Sequence, residues 1–143
     1  MYNYAQDIDL AMFQYYFEEN PKPEVIEILE KYQNEDGGFG MLDYDFIFFG
    51  SCLKQTESAC RYIFALDIPD THPMISKLMK YIVGNYNKTT GEWDNLTVPE
   101  VNNFSHVRLG GSMRNRKNAS RQIAPTLSSA ITRTSIRHWR EWL

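Results

Sequence analysis

Tyr32-Gln33-Asn34-Glu35-Asp36-Gly37-Gly38-Phe39-Gly40 is the stretch that decides the fold. It is echoed by Tyr86-Asn87-Lys88-Thr89-Thr90-Gly91-Glu92-Trp93, 54 residues on and with no gap inside the motif. Tyrosine meets tyrosine, Gln33 meets Asn87, Gly37 meets Gly91 and Phe39 meets Trp93. Self-similarity at such a period signals stacked supersecondary units. Each copy also follows a helix-patterned segment opened by a proline, Pro23 or Pro73.

The residue types in both copies suit a turn at a helix end. Glycine enters the left-handed conformation without the Cβ penalty other residues carry, so Gly37-Gly38 and Gly91 are expected to end the helices before them. Asp36 can hydrogen-bond its own turn backbone, and Thr90 does so more weakly. Gln33 or Asn87 offers an amide to backbone groups left open at a helix end. Phe39 or Trp93, two residues past the glycine, would then cover the polar cluster.

The pattern Gln33-Asn34-Glu35-Asp36-Gly37-Gly38-Phe39 resembles the repeat of the terpenoid cyclases and protein prenyltransferases. Asp70-Thr71-His72-Pro73, then a helix, then the aromatic turn, is similar to bacterial members with this repeat. The likeness covers roughly residues 20–106, about two repeats. It implies an all-α fold of helical hairpins belonging to an α/α toroid, a ring with inner helices around a cavity. A ring of this kind closes with about six hairpins, and repeat units need neighbours to bury their faces. Two hairpins therefore form an incomplete toroid. The resemblance is specific for fold and weak for activity, since complement-like domains and some polysaccharide lyases share the architecture.

The 143-residue length fits one domain with an adequate core. Apolar content of 43% and charged content of 23% are ordinary for a soluble globular chain. The most apolar short run, Phe46-Ile47-Phe48-Phe49, is too brief to span a membrane. Asp7 and Asp9 near the N-terminus do not fit a signal peptide, so a cytoplasmic location is expected. Cys52 and Cys60 then read as reduced and buried rather than paired.

The net charge of −3 conceals a division. Residues 1–106 hold seven Lys and Arg against seventeen Asp and Glu; residues 107–143 hold eight against one. The chain is therefore divided into a repeat region, 1–106, and a basic Ser/Arg-rich tail, 107–143. The tail's composition cannot bury much apolar surface and is expected to be disordered or loosely held. Ile123, Leu127 and Ile131, with Trp139 and Trp142, outline a weak helix over 124–142. The abrupt shift near residue 107 also resembles translation in a wrong frame.

Four helices are expected in two hairpins: residues 4–19, a second opened by Pro23, a third over 54–66, and a fourth opened by Pro73. Thr71 is the expected N-cap of the fourth. No β-sheet is expected. Helices 4–19 and 73–86 read as amphipathic, and Ile63, Leu66, Leu78 and Ile82 are expected to lack full cover, which would favour self-association.

Asp43 and Asp45 are the candidate catalytic pair, two carboxylates in the loop after the repeat turn. The cyclase acid motif is Asp-x-Asp-Asp, and Phe46 stands where its last acid would be. Two carboxylates alone are a poor site for a hard cation, so a solvated loop is the simpler reading. Cys60 and His72 match two of the prenyltransferase zinc ligand types, but no Asp-x-Cys pair accompanies them. Cys52 and Cys60 lack structural-zinc spacing, so no metal and no cofactor is expected. Tyr44, Phe46, Phe48 and Trp93, with Phe49 and Phe104, are loop aromatics. They pack between helices in the simpler reading and line an isoprenoid or lipid pocket in the other. Arg108, Arg114, Arg116, Lys117 and Arg121 lack interleaved aromatics, so nucleic acid is not an expected partner.

The resemblance implies a prenyltransferase/terpenoid-cyclase-like repeat protein, here a non-catalytic fragment or truncated member. Two alternatives stand beside it. One is an isoprenoid-processing enzyme active only when an oligomer or partner chain completes the ring. The other is a repeat scaffold that binds protein or lipid.

Overall fold

The computed structural model describes residues 6–42, 48–90 and, for the backbone, 92–93. Four helices follow in chain order: α1 Asp7–Phe17, α2 Lys22–Glu30, α3 Leu53–Ala65 and α4 Pro73–Gly84. The fold is all-α. One minimal departure from helix is an antiparallel pair, β1 Tyr86–Asn87 against β2 Glu92–Trp93, where no β structure was expected. The tail, residues 107–143, and its expected helix over 124–142 lie outside the described residues.

Each helix ends for a local reason. Beyond α1, Glu19 takes a left-handed φ of 58°, and the Asn20 amide donates back to the Gln14 carbonyl at 3.1 Å. α2 carries Pro23 in its first turn, where the missing N–H has no helical partner to lose. It then tightens through short-range bonds, Tyr32 N–H to Leu29 and Gln33 N–H to Glu30. The expectation that Gly37 caps this helix is corrected: α2 ends at Glu30, and Gly37 closes the separate turn that follows.

α3 ends at Ala65, two residues short of Ile68-Pro69-Asp70, by a device the sequence does not announce. Asp67 adopts φ 47°. Its N–H donates to the Phe64 carbonyl, and the Ile68 N–H reaches back to Ile63. This is the Schellman arrangement with aspartate in glycine's usual place. Ile68 and Ile63 are both buried, as that motif's apolar contact requires. α4 is capped by His72, not Thr71. His72 is extended at φ −69°, ψ 137°, and the Met74 N–H donates to its Nδ1 at 3.3 Å. Pro73 fills the intervening position, which needs no donor.

All four helices contribute to one core: Ile8 and Ala11 from α1, Val25 and Leu29 from α2, Ala59 and Ile63 from α3, Leu78 and Ile82 from α4. Polar contacts link neighbouring helices. The Tyr62 hydroxyl donates to Asp9 at 2.8 Å, and Lys22 Nζ donates to the Asp67 carbonyl at 2.9 Å. The expected lack of cover over Ile63, Leu66, Leu78 and Ile82 is overturned, since none is more than 2% exposed. Among the described residues, the large apolar side chains left open are instead Phe13, Tyr16, Phe17, Phe49 and Phe64.

Candidate functional site: a polar turn joining the helices

The first motif copy builds a compact hydrogen-bonded knot. Gln33 and Phe39 face each other as an isolated antiparallel bridge, and the Gly40 N–H donates to the Tyr32 carbonyl at 3.1 Å. Within the loop, Asp36 Oδ1 accepts from the Gly38 N–H at 3.0 Å and from the Ser51 hydroxyl at 2.6 Å. Asn34 Nδ2 donates to Ser51 Oγ at 2.9 Å and to the Phe49 carbonyl at 3.1 Å. The knot therefore reaches from the turn to the chain entering α3.

Gln33 makes the longer connection. Its Nε2 donates to the Gly37 carbonyl and to the Met74 carbonyl in the first turn of α4, each at 3.0 Å. One amide thus ties the end of α2, the turn and the start of α4. The close approach explains the glycines. Gly37 has φ 91°, and a Cβ there would overlap the Lys77 carbonyl of α4. A Cβ on Gly38 would lie 2.7 Å from the Tyr81 ring. Phe39 is fully buried and covers the cluster from the core side.

α3 supplies a second set of polar anchors. Thr56 Oγ1 accepts from the Phe39 N–H at 3.1 Å and donates to the Cys52 carbonyl at 2.8 Å. Gln55, fully buried, accepts from the Leu42 N–H at 2.8 Å and donates to the Phe48 carbonyl at 3.2 Å. It holds both stems of the loop between residues 42 and 48. Buried polar groups of this kind are tolerated because they are hydrogen-bonded.

The second copy differs. Tyr86 pairs with Trp93 and Asn87 with Glu92, one residue out of register with the Gln33–Phe39 bridge. Asn87 Oδ1 accepts from the Thr89 and Thr90 N–H groups at 3.0 and 3.2 Å, so it closes its own turn. Glutamine, one methylene longer, reaches past its turn to α4. Gly91 lies outside the described residues, and Trp93 is described for its backbone only.

Of the other candidates, Asp43, Tyr44, Asp45 and Phe46 lie outside the described residues. Phe48 is half-buried, and its ring folds back onto Gly50, within 2.6 Å of where a Cβ would stand. Cys52 and Cys60 are buried free thiols. Burial, aided by the neighbouring Glu57 carboxylate, pushes the Cys60 thiol up to about 12, so it stays protonated and unreactive at neutral pH. His72 caps α4 and stands 3.9 Å from Glu30. Among the described residues, no three His, Cys, Asp or Glu side chains gather as metal ligands. None of the helices there is long and apolar enough to cross a membrane.

An open cavity of about 530 Å³ lies between the turn and the last turns of α4, bordered by Glu35, Asp36, Lys77, Lys80, Tyr81 and Asn85. Its two acids and two lysines do not suit a prenyl chain. Asn34, Ser51, Gln55 and Thr56 are the working residues that the sequence reading passed over. For Gln55 and Thr56 the available signal was adjacent polar side chains in a helix otherwise patterned for burial; Asn34 and Ser51, outside the helices, carried no such signal.

No family model matches this chain, and no curated protein or solved structure matches it significantly.

Proposed function

We propose that this chain is a prenyltransferase/terpenoid-cyclase-like helical-repeat protein that acts as a non-catalytic scaffold. The observation that carries this reading is the engagement of Gln33, whose amide bonds the Gly37 and Met74 carbonyls at 3.0 Å each. The motif that brings the family to mind is here a structural staple. Gln33 bonds backbone carbonyls, Asn34 and Asp36 are tied to Ser51, and Phe39 is buried, so these side chains are engaged within the fold. The cavity beside the turn is open and charged, whereas carbocation chemistry needs an enclosed apolar site from which water is excluded.

Incubation of concentrated protein with prenyl diphosphates or squalene, with and without magnesium or zinc, tests the reading. The expected result is no product. Turnover abolished by Asp45→Asn would replace the scaffold with an isoprenoid-processing enzyme.

A further inference from the structure

The exposed aromatics are not scattered. Phe13, Tyr16 and Phe17 occupy one face of α1 at spacings of three and four residues, and are 39%, 56% and 74% exposed. The Phe13 and Phe17 rings lie against each other, centroids 4.9 Å apart. The Tyr16 hydroxyl reaches the Ala65 carbonyl at 3.5 Å, bringing this face to the end of α3, where Phe64 is 48% exposed. Exposed aromatics grouped on one helix face in this way mark an interaction site.

The charge around it selects the partner. Residues 1–21 contain four acids, Asp7, Asp9, Glu18 and Glu19, and no Lys, Arg or His. Glu18 and Glu19 are exposed directly beside Phe17. Two cations on the other described helices have partners of their own. Lys22 donates to the Asp67 carbonyl, and Arg61 pairs with Glu57 at 2.7 Å. An apolar stripe framed by acids complements an apolar stripe framed by bases, and it repels anionic lipid and nucleic acid.

We propose that the aromatic face of α1 docks a cationic amphipathic helix of a partner protein. The apolar side of that helix lies on Phe13, Phe17 and Phe64, and its Lys or Arg rim meets Glu18 and Glu19. This proposal rests on the scaffold reading but is tested separately, because the face carries no part of the repeat turn.

The probe is a labelled Leu/Lys amphipathic peptide of about 18 residues, long enough for five helical turns, with a Leu/Glu twin as control. Binding to the full chain is followed by fluorescence anisotropy at low and high salt. The Leu/Lys peptide is expected to bind, to weaken with salt, and to lose roughly tenfold or more in affinity with Phe13→Ser/Phe17→Ser. Phe49→Ser, at an exposed phenylalanine on another loop, is expected to bind normally, and Glu18→Lys/Glu19→Lys poorly. Circular dichroism of each variant confirms retained helix.

Several results overturn the proposal. One is no binding of the Leu/Lys peptide, as when residues 107–143 of the chain itself occupy the face. Others are equal binding of the Leu/Glu twin, and unchanged binding by the double phenylalanine variant. Light scattering that shows a dimer dissociated by that variant would assign the face to a second copy. Capture by phosphatidylserine vesicles in place of the peptide would assign it to a membrane.

Discussion

At the scale of single residues, the decisive group is the Gln33 amide. Its two hydrogen bonds lock the chain leaving α2 to the turn at Gly37, four residues on, and to the start of α4 at Met74, 41 residues on. A partly buried carbonyl that loses its donor keeps most of its desolvation cost, so Gln33→Leu is expected to destabilise the fold by about 2 kcal/mol. Asn87→Ala, which removes only local bonds within an exposed turn, is expected to cost about 0.5 kcal/mol. Urea unfolding followed by circular dichroism measures both. If the two substitutions cost the same, Gln33 is a turn residue and not a staple. The type of residue at position 33 was readable in the sequence, as was its attraction to backbone groups. Its second acceptor was not, because nothing in the order of residues says that the Met74 carbonyl returns to this turn.

At the scale of elements, the helices were legible and their ends less so. Apolar spacing and the two prolines at 23 and 73 located all four helices to within a few residues, because amphipathic periodicity and proline's preference for a first turn are local properties. The ends depend on backbone conformation that several residue types can adopt. His72 replaced Thr71 as cap because Pro73 shifted the first free N–H to Met74. Asp67 took the left-handed position normally given to glycine at the end of α3. The glycines at 37 and 38 misled in the opposite direction: they serve close approach to α4, not termination of α2. A direct test of the α3 ending follows. Asp67→Gly keeps the Schellman bonds and removes a Cβ from a left-handed residue, so a gain of up to about 1 kcal/mol is expected. The Lys22 contact survives, because it is made to the Asp67 carbonyl rather than its side chain. A clear loss on chemical denaturation would show that the Asp67 carboxylate has a partner that this account omits.

At the scale of the whole molecule, burial is distributed unevenly, and that sets the order in which the fold should open. Seven of the thirteen residues of α3 and six of the twelve of α4 are buried, against two of eleven in α1 and two of nine in α2. α3 also carries the polar anchors Gln55 and Thr56, so opening it would release the turn and the loop stems together. α1 is held by Ile8 and Ala11, by the half-buried Met12 and Tyr15, and by the bonds from Tyr62 to Asp9 and from Tyr16 to Ala65, and it leaves Phe13 and Phe17 to solvent. Regions with few buried contacts open below the global unfolding free energy. Native-state hydrogen exchange is therefore expected to place the α1 amides, and those of α2 ahead of its stapled end, in a unit that opens before α3 and α4. Increasing denaturant should merge the two sets only near the global transition. Equal opening free energies in all four helices would mean that the N-terminal pair is as tightly coupled as the C-terminal pair. The same measurement separates the roles of the two faces of α1. A bound cationic helix should raise protection in α1 selectively, since it covers Phe13 and Phe17, and leave the α3 amides at their global limit.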